Sequence, residues 1–580
     1  MTSLSSVRGS AALIPRRRSQ AADVAVFVGV AAVLWLVVRT ASGATVPWTT
    51  ATAAASVSTD PSALPYFAAR SLLRMFVALG LSVAFALVYA TAAARIPGAA
   101  KVLLPLLDVL QSVPILGFLS VTVTGFIALF PGSQLGLECA SIFAIFTSQA
   151  WNLAFALHHS LTTQPRELDE AARLLRLSRW QRFWRVDVPS GMIPLVWNGM
   201  MSFGGGWFFL TASEALSVNG RQVALPGIGA YVAAAGDDCD LGRVSLAVGV
   251  MVVMIVAVNA LFWRPLTVWS GRFRIGDAVP ADAPGSALLT VLRRSHLPRL
   301  LRAPLTAAWY ALDRVASVSG VADRAPRPPS TAVVVQRRAA GTVLSVVLAY
   351  GGYRVLAFLE MRLGLAEVGR AATLGLLTFG RVIVVMLDAT LLWVPVGVWI
   401  GLNARVTRLA QPVVQVLASF PANFLFPLVT AALIATHVGL GIGGILLMAL
   451  GSQWYVLFNV IAGASAIPYD LREAATILGL SRRARWRTLI GPAVFPSYVT
   501  GAITAAGGAW NASIVAEVVS YHGSTLTARG LGSYVADATA AGDGARTLLG
   551  VLVMSAFVVA TNRLFWRPVH ALAQRRYAPT

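Results

Sequence analysis

Few side chains in this 580-residue chain are suited to chemistry, and their spacing argues against catalysis. A phosphate-binding P-loop needs a lysine after its glycines. The only lysine, Lys101, follows Ala99 and Ala100, so nucleotide must be handled by another chain and no cofactor is expected in this one. His158 and His159 form the obvious pair to test as metal ligands. Adjacent residues on a helix point about 100° apart, and no cysteine or carboxylate joins them, so the pair is read as an interfacial anchor and no metal is expected. Cys139 and Cys239 fall in or beside segments expected to face outward, but no framework spacing calls for a bridge between them. Asp108 and Asp388 are the carboxylates that fall inside apolar runs; they are not repeat-equivalent, which weighs against paired ion sites.

The elements that carry these residues are set by hydropathy. The chain is 57% hydrophobic and 12% charged, with a mean hydropathy of +0.71, too apolar for water-soluble domains to bury. Runs such as Val24–Val38, Phe76–Ala94 and Leu246–Phe262 approach or reach the length needed to cross a bilayer, and about twelve such runs predict an all-α polytopic membrane protein. A formal charge of +22 suggests nucleic acid until the charges are placed. Arginines cluster between the runs, at Arg16–Arg18, Arg166–Arg185, Arg264–Arg338, Arg472–Arg487 and Arg567–Arg576, each after an even number of spans. The intervening segments Thr45–Leu64 and Pro131–Leu137 lack Lys and Arg. By the positive-inside rule both termini are cytoplasmic, and the charge reports topology and anionic lipid contact rather than nucleic acid. Arg16–Arg18 before an apolar run has the look of a secretory signal. Arg337 and Arg338 precede an equivalent span, Val343–Leu359, so both are read as retained first helices.

The chain is also a tandem repeat. Glu170, Ser178 and Pro189 recur as Glu473, Ser481 and Pro492 at an offset of 303, which also relates Trp207 to Trp510, Glu214 to Glu517, Gly227 to Gly530, Gly229 to Gly532 and Trp263 to Trp566. Upstream, Arg74, Pro105 and Pro114 recur as Arg381, Pro412 and Pro421 at 307. Six spans per copy make the two repeats parallel, related by an axis along the bilayer normal. The expected organisation is a basic tail over 1–21, a first membrane domain over 22–266, a Pro/Arg-rich cytoplasmic linker over 267–336, a second membrane domain over 337–568 and a tail over 569–580. The linker stretch SALLTVLRRSHLPRLLRAPLTAAWYAL either lies on the membrane surface or is a solvated tether.

Between spans four and five of each copy lies a short cytoplasmic helix. Pro165 and Pro468 suit its start. Glu167, Asp169 and Glu170 complement the positive end of its dipole, and Arg173, Arg176 and Arg179 the negative end. Ala171–Ala172 and Ala474–Ala475 leave one face small, Gly479 ends the helix, and Ser481 caps the next. Glu473, Ala474, Ala475, Gly479 and Pro492 resemble the EAA loop of ABC-importer permeases, which implies a coupling helix seated in an ATPase subunit. The first copy, with Glu170, Ala171 and Ala172, departs from the pattern at Arg176, where the glycine is expected, so its helix is predicted to run on or turn differently.

Further on, GGAWNASIVAEVVS with RGLGSYVADATAAGD, and GGGWFFLTASEALS with PGIGAYVAAAGD, resemble the nitrate/sulfonate/taurine branch of these permeases. The resemblance implies a type I importer fold in a bacterial inner membrane, with two cytoplasmic ATPases that bind ATP and Mg and a periplasmic solute-binding protein that delivers a small anion or organic acid. Fusion of two permeases in one chain departs from separate subunits and frees the two pore walls to differ. Glycines and prolines at membrane depth permit broken helices that line a path. The polar and aromatic residues nearby, Gln111, Ser112, Gln149, Asn152, Asn198, Trp207, Ser419, Asn423, Gln453, Trp510 and Asn511, are candidates for that path or for bonds between helices. Glu214 and Glu517, near the outer end of span five, are read as an outer gate or binding-protein contact, or else as water-exposed rim carboxylates. The main rival reading is an ion-coupled secondary transporter with parallel repeats; a scaffold that recruits partners through the linker is the other.

Overall fold

The computed structural model describes residues 20–43, 57–96, 98–218, 221–273, 286–296, 304, 306, 309–315, 331–521 and 524–577. These residues are helical apart from connecting turns and two β-hairpins. The first copy contains α1 (Gln20–Ser42), α2 (Leu64–Arg95), α3 (Ala100–Ser112), α4 (Ile115–Leu129), α5 (Leu135–Thr162), α6 (Arg166–Leu174), α7 (Arg179–Arg182) and α8 (Val188–Glu214). Strands β1 (Ala215–Val218) and β2 (Arg221–Ala224) follow, then α9 (Ile228–Asp237), α10 (Leu241–Val258) and α11 (Arg264–Ser270). Within the linker lies α12 (Ala287–Arg294). The second copy repeats the order with α13 (Thr331–Leu402), α14 (Ala404–Ser419), α15 (Phe426–Ala435), α16 (Leu440–Ser465), α17 (Tyr469–Ile477), α18 (Arg482–Arg485) and α19 (Gly491–Ala516). It ends in β3 (Val518–Tyr521), β4 (Ser524–Thr527), α20 (Leu531–Ala540), α21 (Gly544–Thr561) and α22 (Arg567–Tyr577).

Among the described residues, eight helices are long and apolar enough to cross a membrane, or ten when each of two bent pairs counts as one span. Gly364, at φ 73° and ψ 168°, breaks α13 into two helices, and α8 is the counterpart of the span that ends in α19. The bent pairs are α3 with α4, at 88°, and α14 with α15, at 83°. Pro114 and Pro421 stand at these breaks in extended backbone, as their locked φ and missing N–H dictate.

The chain divides into two compact units: one of Met1–Arg39, Pro165–Ile193 and Asn259–Arg327, the other of Thr40–Gln164, Pro194–Val258 and Pro328–Thr580. In the second unit α2 packs on α5, and α16 on both α13 and α19. Small residues make this possible. A Cβ on Gly401 of α13 would approach the Ile461 carbonyl of α16 to 2.7 Å, and one on Gly501 of α19 the Tyr455 carbonyl to 2.7 Å. Lipid offers no hydrophobic gain for helix association, so such close backbone approach is the main source of attraction. The core of the second copy collects Leu447, Met448, Trp510, Leu531 and Met554. Cys139 and Cys239 are not joined in a disulfide.

Candidate functional site

The two loops that precede α8 and α19 have the same backbone design. α6 and α17 are nine residues each, entered from Pro165 and Pro468 in extended backbone. At the far end of α6 the Leu177 N–H donates to the Ala172 carbonyl and the Arg176 N–H to the Arg173 carbonyl, at 3.1 and 3.0 Å. In the second copy Leu480 donates to Ala475 and Gly479 to Thr476, also at 3.1 and 3.0 Å. This closure needs a left-handed residue. Gly479 supplies it at φ 62°, and Arg176 adopts it at φ 47°. The different turn expected from Arg176 is therefore absent: hydrogen bonds from the Arg176 and Leu177 amides outweigh the Cβ strain of an arginine in this region. Ser481 caps α18 as expected, and Ser178 caps α7 in the same way. Ala172 and Ala475 are buried, whereas Glu170, Ala171, Glu473 and Ala474 face outward. Leu174 and Ile477 are 84% and 80% exposed, beside exposed Leu175 and Leu478, so each loop presents an apolar step next to its carboxylate.

Glu214 and Glu517 are not on a water-exposed rim. Both are fully buried, because each is the hub of a latch that joins the end of α8 or the residue after α19 to a neighbouring helix. In the first copy Arg74 Nη1 donates to Glu214 Oε1 at 2.5 Å, Ser71 Oγ donates to the same oxygen at 2.6 Å, and the Gly229 N–H donates to Oε2 at 2.7 Å. In the second, Arg381 Nη1 and Thr378 Oγ1 donate to Glu517 Oε1 at 2.7 and 2.8 Å, and the Ser533 N–H to Oε2 at 3.1 Å. Each glutamate also closes its hairpin: its carbonyl accepts from Leu225 at 3.0 Å or Ala528 at 2.8 Å. Each arginine reaches on to the carbonyl before the first glycine of the Gly-x-Gly turn, Pro226 or Arg529. A Cβ on Gly227 or Gly530 would overlap the carboxylate. The Gly-x-Gly motif thus exists to seat a glutamate against the N-terminus of α9 or α20. One side is heavier. Arg70 and Arg74 also bind Glu138 of α5, a buried carboxylate missing from the sequence reading, and no acid stands at the equivalent stretch of α16. Asp108, one of the two expected, pairs with Arg567.

The polar residues offered for a path divide into three groups. Asn423, Asn511 and Ser419 lie on the seam between the copies: Asn423 Nδ2 donates to Thr211 Oγ1 at 2.7 Å, the Ile115 N–H at the α4 break donates to Asn511 Oδ1 at 3.0 Å, and Ser419 faces Gly204. Others tie neighbouring helices or their own turn. Asn152 donates to Ser202 at 2.8 Å, Gln453 accepts from Trp393 Nε1 at 2.9 Å, Asn198 donates to the Pro194 carbonyl at 2.9 Å, and Ser112 to the Asp108 carbonyl at 2.7 Å. Gln111 is exposed and bonds Asp108 at 3.4 Å. Gln149 is fully buried with neither amide atom bonded among the described residues. Trp207 and Trp510 are packing residues, buried against Phe203 and between Phe379 and Phe557. Arg74 with Arg381 and Ser71 with Thr378 were the partners missed; the signal was an arginine recurring inside an apolar span, where an unpaired charge is costly.

Residues 87–264 and 394–575 each match the family described as binding-protein-dependent transport system inner membrane component. Curated relatives agree. Nitrate import permease protein NrtB of Leptolyngbya laminosa is 26% identical over 184 residues, 32% of this chain and 62% of that protein. Bicarbonate transport system permease protein CmpB of Synechococcus elongatus is 27% identical over 131 residues, 23% and 46% of the two chains. Taurine transport system permease protein TauC of Escherichia coli is 28% identical over 159 residues, 27% and 54%. The chain spans about half the length of these relatives. Two family matches that together cover more than half of the sequence, one on each copy of the repeat, establish that the chain belongs to the binding-protein-dependent transport system inner membrane component family.

Proposed function

We propose that the chain is the membrane permease of an ATP-binding-cassette importer, with the path for the solute between its two repeats and no ATP-hydrolysing site of its own. Two cytoplasmic ATPases seat α6 and α17, and a solute-binding protein delivers cargo on the opposite face, both termini remaining cytoplasmic. The observation that carries this reading is the pair of loops: each has the same left-handed closure, a buried alanine that fixes the helix, and an outward carboxylate, Glu170 or Glu473, beside two exposed aliphatic side chains. Apolar steps exposed to water cost free energy unless a partner covers them. The cargo is a small anion or organic acid, a class shared by the substrates in the relatives' names. Alternating access then means parting and closing the seam at Asn423 and Asn511. An ion-coupled mechanism is disfavoured because the buried carboxylates Glu138, Glu214 and Glu517 each already hold a guanidinium, while Asp388, the remaining candidate, is exposed on α13.

The test combines Glu170→Lys with Glu473→Lys and Gly479→Val. ATP-driven uptake falls to background while the chain still inserts, and copurification with its ATPase is lost. Unchanged uptake in this variant removes the coupling assignment.

A further inference from the structure

The linker holds a second structural feature, all of it within the first compact unit. Trp309 lies in a helical turn over residues 309–315. Its ring stacks on Trp180 of α7, with centroids 6.2 Å apart and planes 22° apart, and meets Trp184 edge-on at 5.3 Å. Trp180 and Trp184 also meet each other at 5.7 Å, so three indoles close on one another. Gln181 Nε2 donates to Asp313 Oδ2 at 3.0 Å. The other end of the same amide accepts from the Ser178 N–H and completes the capping box of α7. One side chain therefore joins the linker to the residue that starts the helix after the Arg176 turn.

The second copy has none of these side chains. At the offset of 303, Trp180, Gln181 and Trp184 become Arg483, Ala484 and Arg487. Ser481 still caps α18, but through the Ala484 N–H alone. The docking residues occur only in the copy the linker rests on. The face of α6 proposed to meet an ATPase is left open, since Leu174 and Leu175 remain 84% and 70% exposed.

We infer that the linker turn at 309–315 is a clasp that positions the first coupling lever from behind, so that the two ATPase contacts are mechanically unequal. This rests on the permease reading above. A stacked indole trio excludes water and has few rotamers to lose, so it stiffens the lever more than the solvated arginines of the second copy do. Trp309, Asp313 and Gln181 are positioning residues: they act through Ser178 and α7, not on solute.

The test uses the full chain in membranes with its ATPases and reads solute imported per ATP hydrolysed. Trp309→Ala and Gln181→Ala each lower this ratio about threefold or more, the pair together no further than the worse single change, as expected for parts of one contact. Trp309→Phe keeps the ratio, and Arg483→Ala with Arg487→Ala does not alter it. A purely structural defect lowers uptake and hydrolysis together and leaves the ratio fixed; that result, or a normal ratio in Trp309→Ala, overturns the clasp. Independently of transport, Gln181→Cys with Asp313→Cys, in a chain carrying Cys139→Ser and Cys239→Ser, forms an oxidative cross-link in membranes. Failure to cross-link also overturns the clasp. If no ATPase accompanies the chain, the permease reading fails instead, and the cross-link still decides whether the clasp exists.

Discussion

Replacing Gly227 by alanine tests the latch at its tightest point. The backbone there is extended, with φ at −175°, open to any residue, so the effect of the change comes from the added methyl group alone. That methyl overlaps the Glu214 carboxylate. The carboxylate has no room to retreat, being held by Arg74, Ser71 and the Gly229 amide at 2.5 to 2.7 Å. If the backbone shifts, overpacking costs about 1–3 kcal/mol. If the carboxylate is expelled, a buried guanidinium loses a partner, and breaking such a pair costs about 3–5 kcal/mol. The cheaper route sets the outcome at about 2 kcal/mol. The control is Gly249→Ala in α10, where the new Cβ meets nothing within 4 Å and gains up to about 1 kcal/mol of helix propensity. The two variants differ by about 3 kcal/mol, on the order of a hundredfold in the rate of irreversible loss of folded protein at a fixed temperature. The assay is the half-time of the monodisperse peak in detergent. Equal half-times for Gly227→Ala and Gly249→Ala would refute the argument that the Gly-x-Gly turn is there to admit the glutamate.

Two further expectations follow from the geometry. Arg176→Gly removes the strain of a left-handed arginine, about 1 kcal/mol, and slows hydrogen exchange at the Leu177 amide; faster exchange there means the arginine side chain was contributing support. Thr211→Cys with Asn423→Cys, in the same cysteine-free background, blocks uptake on oxidation and restores it on reduction, whereas uptake indifferent to oxidation means the seam does not part during transport.

The repeat was legible because subtraction of residue numbers is insensitive to environment, and the helical spans because apolar runs of that length have few other uses. The cap at Ser481 was legible for a similar reason, being local. What escaped was non-local. Glu214 looked like a rim residue because it follows an apolar run, and only the fold brings Arg74, 140 residues earlier, onto its carboxylate. Arg176 misled in the opposite direction: a rule about left-handed residues was applied to identity alone, although two backbone hydrogen bonds decide the turn. The tryptophans of the first loop carried a signal, since their counterparts are arginines, but it has meaning only once Trp309 is seen against them.

The seam between the repeats carries two neutral hydrogen bonds, the Asn423–Thr211 pair and the Ile115–Asn511 contact, beside the Asp108–Arg567 ion pair, whose arginine is exposed. Neutral interhelical bonds within membranes are worth on average about 0.6 kcal/mol each, so releasing both costs only about 1 kcal/mol. A solute that favours the parted arrangement tenfold contributes about 1.4 kcal/mol and already outweighs them. Their effect is alignment more than strength: in the proposed transport cycle they would return the two walls to one register each time while leaving cargo of modest affinity able to tip the balance.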